Sequence, residues 1–326
     1  MTKLYAKLMS VVFLLFLVVN TASCSTPAPK DDLDAMLPGI LQGCKDNFAN
    51  IRSGKGSLTV HRTINYIKDD AIKAVETKGA YDVVFDDTKY KCVGTSTVIN
   101  NELYPSVIKP GSVERYSIVN DGEKVTLITD SVGTTGLITG KACPEKTSLE
   151  LAMLLPRNKR TESGHGIGFI DYKDKPDSTI LVGKGIHVTG TEDVDGHPCL
   201  VVEAIMEITL PDGRAATNTW KYWVDTNRSF CIPLIQVWSK DEKLEKPVLF
   251  VEFHTVLREY GPGIWGPARY TSLQNSYDAK QGLIPFVSFE TTYAPDFQFN
   301  VPVSPAELVL KIPPGVSIRD VDGATP

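Results

Sequence analysis

"HPCLVVEAIMEITLPDGRAATNTWKYWVDTNRSFCIPLIQVWS", residues His197 to Ser239, alternates in a way that decides the fold class. Leu200, Val202, Ala204, Met206 and Ile208 fall on one side of an extended chain, and Glu203 and Glu207 on the other. Successive side chains of a strand point to opposite faces, so this pattern is a strand with one dry and one wet face. Dry-and-wet strands belong to antiparallel sheets, whereas parallel strands are buried on both sides. The neighbouring stretch brings Trp220, Tyr222, Trp223 and Trp238 into one aromatic cluster. Such a cluster packs a core, or lines an apolar cavity.

The same alternation recurs outward from this segment. Leu58, Val60, Ile64 and Tyr66 share a side, with Thr59, His61, Thr63 and Asn65 opposite; Leu249, Val251, Phe253 and Leu257 repeat the pattern, as do Val287, Phe289 and Tyr293. Turn signals separate the runs at Asn120-Asp121-Gly122, Asp195-Gly196, Pro211-Asp212-Gly213 and Asp225 to Arg228. The reading is roughly ten or eleven strands with two or three helices. Residues 31–52 carry the helical period: Leu33, Leu37, Ile40, Leu41, Cys44, Phe48 and Ile51 make one apolar face. Asp31, Asp32 and Asp34 suit its N-terminus, and Pro38-Gly39 kinks or delays its start. A shorter helix is expected over Lys146 to Leu155, and a long loop from Pro156 to Ser178.

The fold class expected is therefore mainly β (α+β): a single curled antiparallel sheet forming an incomplete β-barrel, with a few helices as a lid over the concave face. If that face holds an apolar ligand, the residues lining it are Ile40, Phe48, Leu200, Val202, Ala204, Met206, Trp220, Tyr222, Leu249, Val251, Phe253 and Phe289. The alternative is that sheet and helices simply pack a dry core.

The opening of the chain reads as an export signal. Lys3 and Lys7 precede an uninterrupted apolar run from Val11 to Val19, short for a membrane span and right for a signal peptide. Residues 1–23 form that signal and 24–30 a tether, leaving 31–326 as one domain. Ala22 and Ser23 are small enough for a lipoprotein signal peptidase, which makes Cys24 a lipid anchor. Thr21 departs from the Leu, Val or Ile usual three residues before such a cysteine. Ordinary cleavage after Ser23 or Ser25 is the alternative. With Cys24 acylated, Cys44, Cys92, Cys143, Cys199 and Cys231 remain, an odd set whose spacing names no disulfide partners. The formal net charge of −5 becomes more negative by two without Lys3 and Lys7, which disfavours nucleic acid and anionic headgroups.

No catalytic or metal motif stands out, and no cofactor is called for. Gly164 to Gly168 lacks dinucleotide-loop spacing. Asp193 to Gly196 with Glu203 lacks the ligand count of a calcium loop, and a hairpin turn explains it more simply. The five histidines (His61, His165, His187, His197 and His254) are scattered.

Several segments together carry a family resemblance. "ILQGCKDNFANIRSGKGSLTVHRTINY" (40–66), "IVNDGEKVTLIT" (118–129), "VTGTEDVDGHPCLVVEAIMEI" (188–208), "WKYWVDTNRSFCIPLIQVWS" (220–239) and "FNVPVSPAELVLKIPPGVSIRDVDG" (299–323) follow one another in order. Their pattern resembles the bacterial outer-membrane lipoprotein-sorting family, the LolA/LolB-like carriers, in a long form. The resemblance implies an incomplete barrel with a helical lid and acyl chains held between them. No functional residue carries over by motif. The chain is longer than the periplasmic carriers, which have no lipid anchor, and its middle looks inserted. The expected function is thus a non-enzymatic cell-envelope lipoprotein, on the periplasmic face and anchored in the outer membrane, that binds or transfers lipid or lipoprotein acyl chains. The alternative is an envelope sensor of the same fold that binds a membrane protein partner.

Overall fold

The computed structural model describes residues 33–86, 89–103, 106, 108–121, 125–131, 134–140, 184–209, 214–278, 282–311 and 317–320. The leader, the tether with Cys24, the shorter helix near 150, the loop after it and Cys143 lie outside the described residues.

Helix α1 spans Leu37–Asn50, with Pro38 in its first turn. Proline lacks the N–H that has no acceptor there, so it is tolerated at that position. Leu33 and Asp34 are also helical, and a turn at 35–36 separates them from this helix. Two long meanders follow. The first is β1 (Ser53–Lys68), β2 (Ala71–Asp86), β3 (Lys89–Asn101), β4 (Val113–Asn120), β5 (Val125–Ser131) and β6 (Thr134–Gly140). The second is β7 (Lys184–Val194), β8 (His197–Thr209), β9 (Ala215–Asp225), β10 (Cys231–Asp241), β11 (Val248–Gly261), β12 (Ile264–Asp278) and β13 (Gly282–Tyr293). Short strands β14 (Gln298–Phe299) and β15 (Ser317–Asp320) complete the set.

All fifteen belong to one sheet, ordered β15-β6-β5-β4-β3-β2-β1-β13-β12-β11-β10-β9-β8-β7, with β14 also on β1. Among the described strands every pairing is antiparallel except β15 with β6. The strands outnumber the sequence expectation. The barrel expectation is corrected as well: the sheet is open and not strongly curled. A barrel closes only when its edges meet. Here β1 and β13 pair in the middle, so the two meanders run outward from that seam and leave β7 and β15 at opposite ends.

The tight turns follow from local chemistry. Asp195 and Gly196 take left-handed φ of 52° and 77° between β7 and β8, the type I′ geometry that matches strand twist. Asp69 and Asp70 do the same between β1 and β2, at 55° and 58°. A second, smaller apolar cluster of Val194, Cys199, Val201 and Trp223, with Leu234 against it, sits on the opposite face of β7–β10. That corner of the sheet is dry on both sides. The sequence expectation of one wet face fails there.

Candidate functional site: an apolar face crossing eight strands

The sheet register turns the alternation of separate strands into continuous rows. One row runs Val188, Val202, Tyr222, Ile235, Phe253, Ser272, Phe289 and Arg62, from edge strand β7 to central strand β1. All are buried except Arg62, which is half-buried. The adjoining row runs Ala204, Trp220, Val237, Val251, Gln274, Val287 and Ile64. The same core continues through Leu58 on β1 and beyond it through Tyr81, Val83, Phe85 and Cys92.

Seven of the sequence-predicted residues therefore stand side by side: Val202, Tyr222, Phe253 and Phe289 in the first row, and Ala204, Trp220 and Val251 in the second. Leu200 packs against this core and Ile40 joins it from α1. Two departures have physical causes. The register slips between Val237 and Trp238, so β11 carries a bulge at Phe250. An extra residue in a strand reverses the alternation on one side of it, and Phe250 packs against the core where Leu249 was expected. Met206 is half-buried and pairs with the buried Asn218, at the polar end of the face. The Phe48 side chain lies outside the described set.

Aromatic rings occupy the middle of the face. Trp220 stacks on Tyr222 at 6.0 Å and 15°, and Phe253 on Tyr270 at 6.2 Å and 18°. Polar atoms interrupt it. Trp220 Nε1 and Asn218 Oδ1, two residues apart on β9, are buried without a hydrogen-bond partner. Each such atom costs about 1–3 kcal/mol. The Arg62 guanidinium lies over the Phe289 ring, 5.4 Å from its centroid. Burial pushes the Tyr270 and Tyr293 hydroxyls well above the ordinary tyrosine range, so both stay neutral.

Arg62 escaped the sequence reading, yet its signal was there: it occupies an apolar position in the alternation Leu58, Val60, Ile64. A charge where the period demands a hydrophobe marks a special position.

Several contacts hold helix α1 on the face. The Asp34 carboxylate, just before the helix, accepts the Val188 N–H of edge strand β7 at 3.0 Å. At Gly43 the helix backbone meets the Phe230 ring so closely that a methyl group there would sit 2.4 Å from it. The turn that presents Phe230 is itself braced. Asp225, fully buried, caps the 3-10 turn Thr226–Arg228 and pairs with the Arg228 side chain. Ser229 and Phe230 then take left-handed φ of 56° and 57°, a conformation costly for a bulky residue.

A depression of 430 Å³ lies elsewhere, around Gly94, with Ser57, Asp82, Thr95, Arg115 and Ser117 among its lining. None of the sequence-predicted residues borders it.

The fold and face together define a large open antiparallel sheet with one extended apolar surface and a single described α-helix upon it. No protein-family model matches the chain, and no curated protein does. Among solved structures it is similar to a DUF1329 family protein from Desulfovibrio piger, with a TM-score of 0.39 and 10% identity, over 85% of this chain and 97% of that one. It is also similar to a LolA superfamily protein from Nitrosomonas europaea, with a TM-score of 0.34 and 12% identity, over 84% and 97%. A porin-like protein from Bacteroides uniformis follows at 0.18 and 7%, over 73% and 96%.

Proposed function

We propose that this chain is a cell-envelope lipoprotein that binds or transfers the acyl chains of lipids or lipidated proteins, between the apolar rows of the sheet and helix α1. The observation that carries the reading is the pair of apolar rows that reach β1 from β7 and from β8, with one amphipathic helix in the same core. Each acyl methylene in water costs about 0.8 kcal/mol, so a chain of about fifteen needs roughly 12 kcal/mol of shelter. In this reading the open sheet and the helix seated on it shelter the chain between them, and the protein acts by binding, with no chemical step. Export through the leader and anchoring through Cys24 at the periplasmic face of the outer membrane belong to the same proposal.

Native mass spectrometry of the protein isolated from its own envelope tests it. A bound lipid mass, with saturable titration of a fluorescent fatty acid, is the expected result. Absence of both would leave a plain structural domain. A co-purifying membrane protein without lipid would favour the sensor alternative. Cys24→Ser should move the protein from the membrane to the soluble envelope fraction; a wild type already soluble, with an unmodified N-terminus, would refute the anchor.

A further inference from the structure

The contact between α1 and the start of β10 contains two cysteines. Cys44 on the helix is 3% exposed and Cys231 on the strand 6%. Asn47 lies three residues after Cys44, on the same side of the helix, and its Nδ2 donates to Cys231 Sγ at 3.4 Å. The adjacent residues of each element, Gly43 and Phe230, are in the closest approach between helix and sheet described above. The other described cysteines are placed elsewhere. Cys92 is on β3, with β2, β1, β13, β12 and β11 between it and β10. Cys199 belongs to the cluster on the opposite face of the sheet. Cys44 and Cys231 are both free thiols in this structure.

We propose that Cys44 and Cys231 form a modification site: a reversible disulfide that ties helix α1 to strand β10, made by exchange with a disulfide-bearing oxidant. The Cys44 thiolate attacks one sulfur of the oxidant's disulfide, whose S–S bond breaks and releases one thiolate. The Cys231 thiolate then attacks Cys44 Sγ, forms the internal bond and expels the second thiolate. Two electrons pass from the cysteine pair to the oxidant. The protons shed by Cys44 and Cys231 leave its two sulfurs as thiols.

Burial makes this exchange conditional. Desolvation, with the neighbouring Cys231 thiol adding to it, pushes Cys44 up to about 12, and desolvation pushes Cys231 up to about 12. Thiolate is the attacking species, so the docked helix keeps both cysteines inert at neutral pH. Exchange requires α1 to lift from the sheet, and the bond then holds it down. That the bond also closes an acyl-binding face rests on the function proposed above; the bond itself does not.

The test oxidises the wild-type protein to equilibrium in oxidised glutathione, alkylates remaining thiols after denaturation, and maps unreduced peptides. The expected result is a linked pair containing Cys44 and Cys231. It should bring a thermal midpoint higher by about 5 °C or more, reversed by dithiothreitol and absent in Cys231→Ala. Both cysteines alkylated, or linked to other partners, would overturn the proposal without relying on any variant. Titrating a fluorescent fatty acid into the reduced protein separates the two readings. Failure to saturate sinks acyl binding but leaves the bond, and saturable binding with no linked peptide sinks only the bond.

Discussion

Arg62 and Phe289 are direct partners across the seam between β1 and β13, and the guanidinium covers the ring at 5.4 Å. The seam joins the two meanders, so this pair sits where the halves of the sheet meet. Phe289→Ala should cost about 3–5 kcal/mol as a core truncation. Arg62→Ala should cost less. A double-mutant cycle by urea unfolding should return a coupling of about 0.5–2 kcal/mol. Strict additivity would show that the contact contributes nothing beyond packing.

Gly43→Ala would improve intrinsic helix propensity by about 1 kcal/mol. Its methyl has no room against Phe230. The net effect expected is destabilisation by about 1–3 kcal/mol, read from the denaturant midpoint. A stabilised variant would mean that the helix does not dock on the β9–β10 turn. Ile40→Asp, which buries an unpaired charge at a position 2% exposed, should lose several kcal/mol by the same readout.

The Asp225–Arg228 pair holds the turn that carries Phe230. Asp225→Ala removes the cap on Asn227 and Arg228 and strands a buried guanidinium. A loss of about 3–5 kcal/mol is expected in urea unfolding. Arg228→Met combined with Asp225→Asn should recover a large part of it. If the single variant costs under about 1 kcal/mol, the pair does not organise the turn.

Stability should depend on alkaline pH through the buried thiols. Cys44 and Cys231 are raised from 9.0 to about 12, and Cys199 to about 11, chiefly by desolvation. The folded protein retains protons that the unfolded chain releases, so stability falls with pH in that range. The thiol contribution is complete below about 9 and is lost as pH rises through 11 to 12. Urea midpoints at pH 8 and 10.5 should differ, and the difference should shrink in Cys44→Ala/Cys231→Ala. An unchanged difference would assign it to other groups.

Much of this face was legible before any coordinates. Alternation placed Val202, Phe253 and Phe289 on apolar sides, because strand geometry fixes which side a residue faces, and the aromatic cluster supplied Tyr222. Alternation could not show that they share one row, since that depends on the register and bulges of every successive hairpin from β8 to β13. The bulge at Phe250 was hidden for a related reason. A single inserted residue changes face without changing composition, and Leu249 therefore seemed equivalent to Val251. Met206 looked like a continuation of its strand, but its neighbour Asn218 is set by register. The turn at Asp195-Gly196 was readable from chemistry; the one at Asp69-Asp70 uses a weaker turn pair and went unnoticed.

The seam has a consequence for how the chain reaches this structure. Each meander is built from neighbouring hairpins, whose ends are close in sequence and can meet early. Leu58 with Tyr293 and Ile64 with Val287 must wait for nearly the whole second meander to exist. Closure of such a long loop is entropically slow, and it exposes unpaired strand edges in the meantime. Synthesis delivers β1 first and β13 late, so the inner edge of the first meander stands open until its partner arrives. Pairing along the seam is the contact that must wait for the last long strand, and an interrupted chain would present a bare edge to its neighbours.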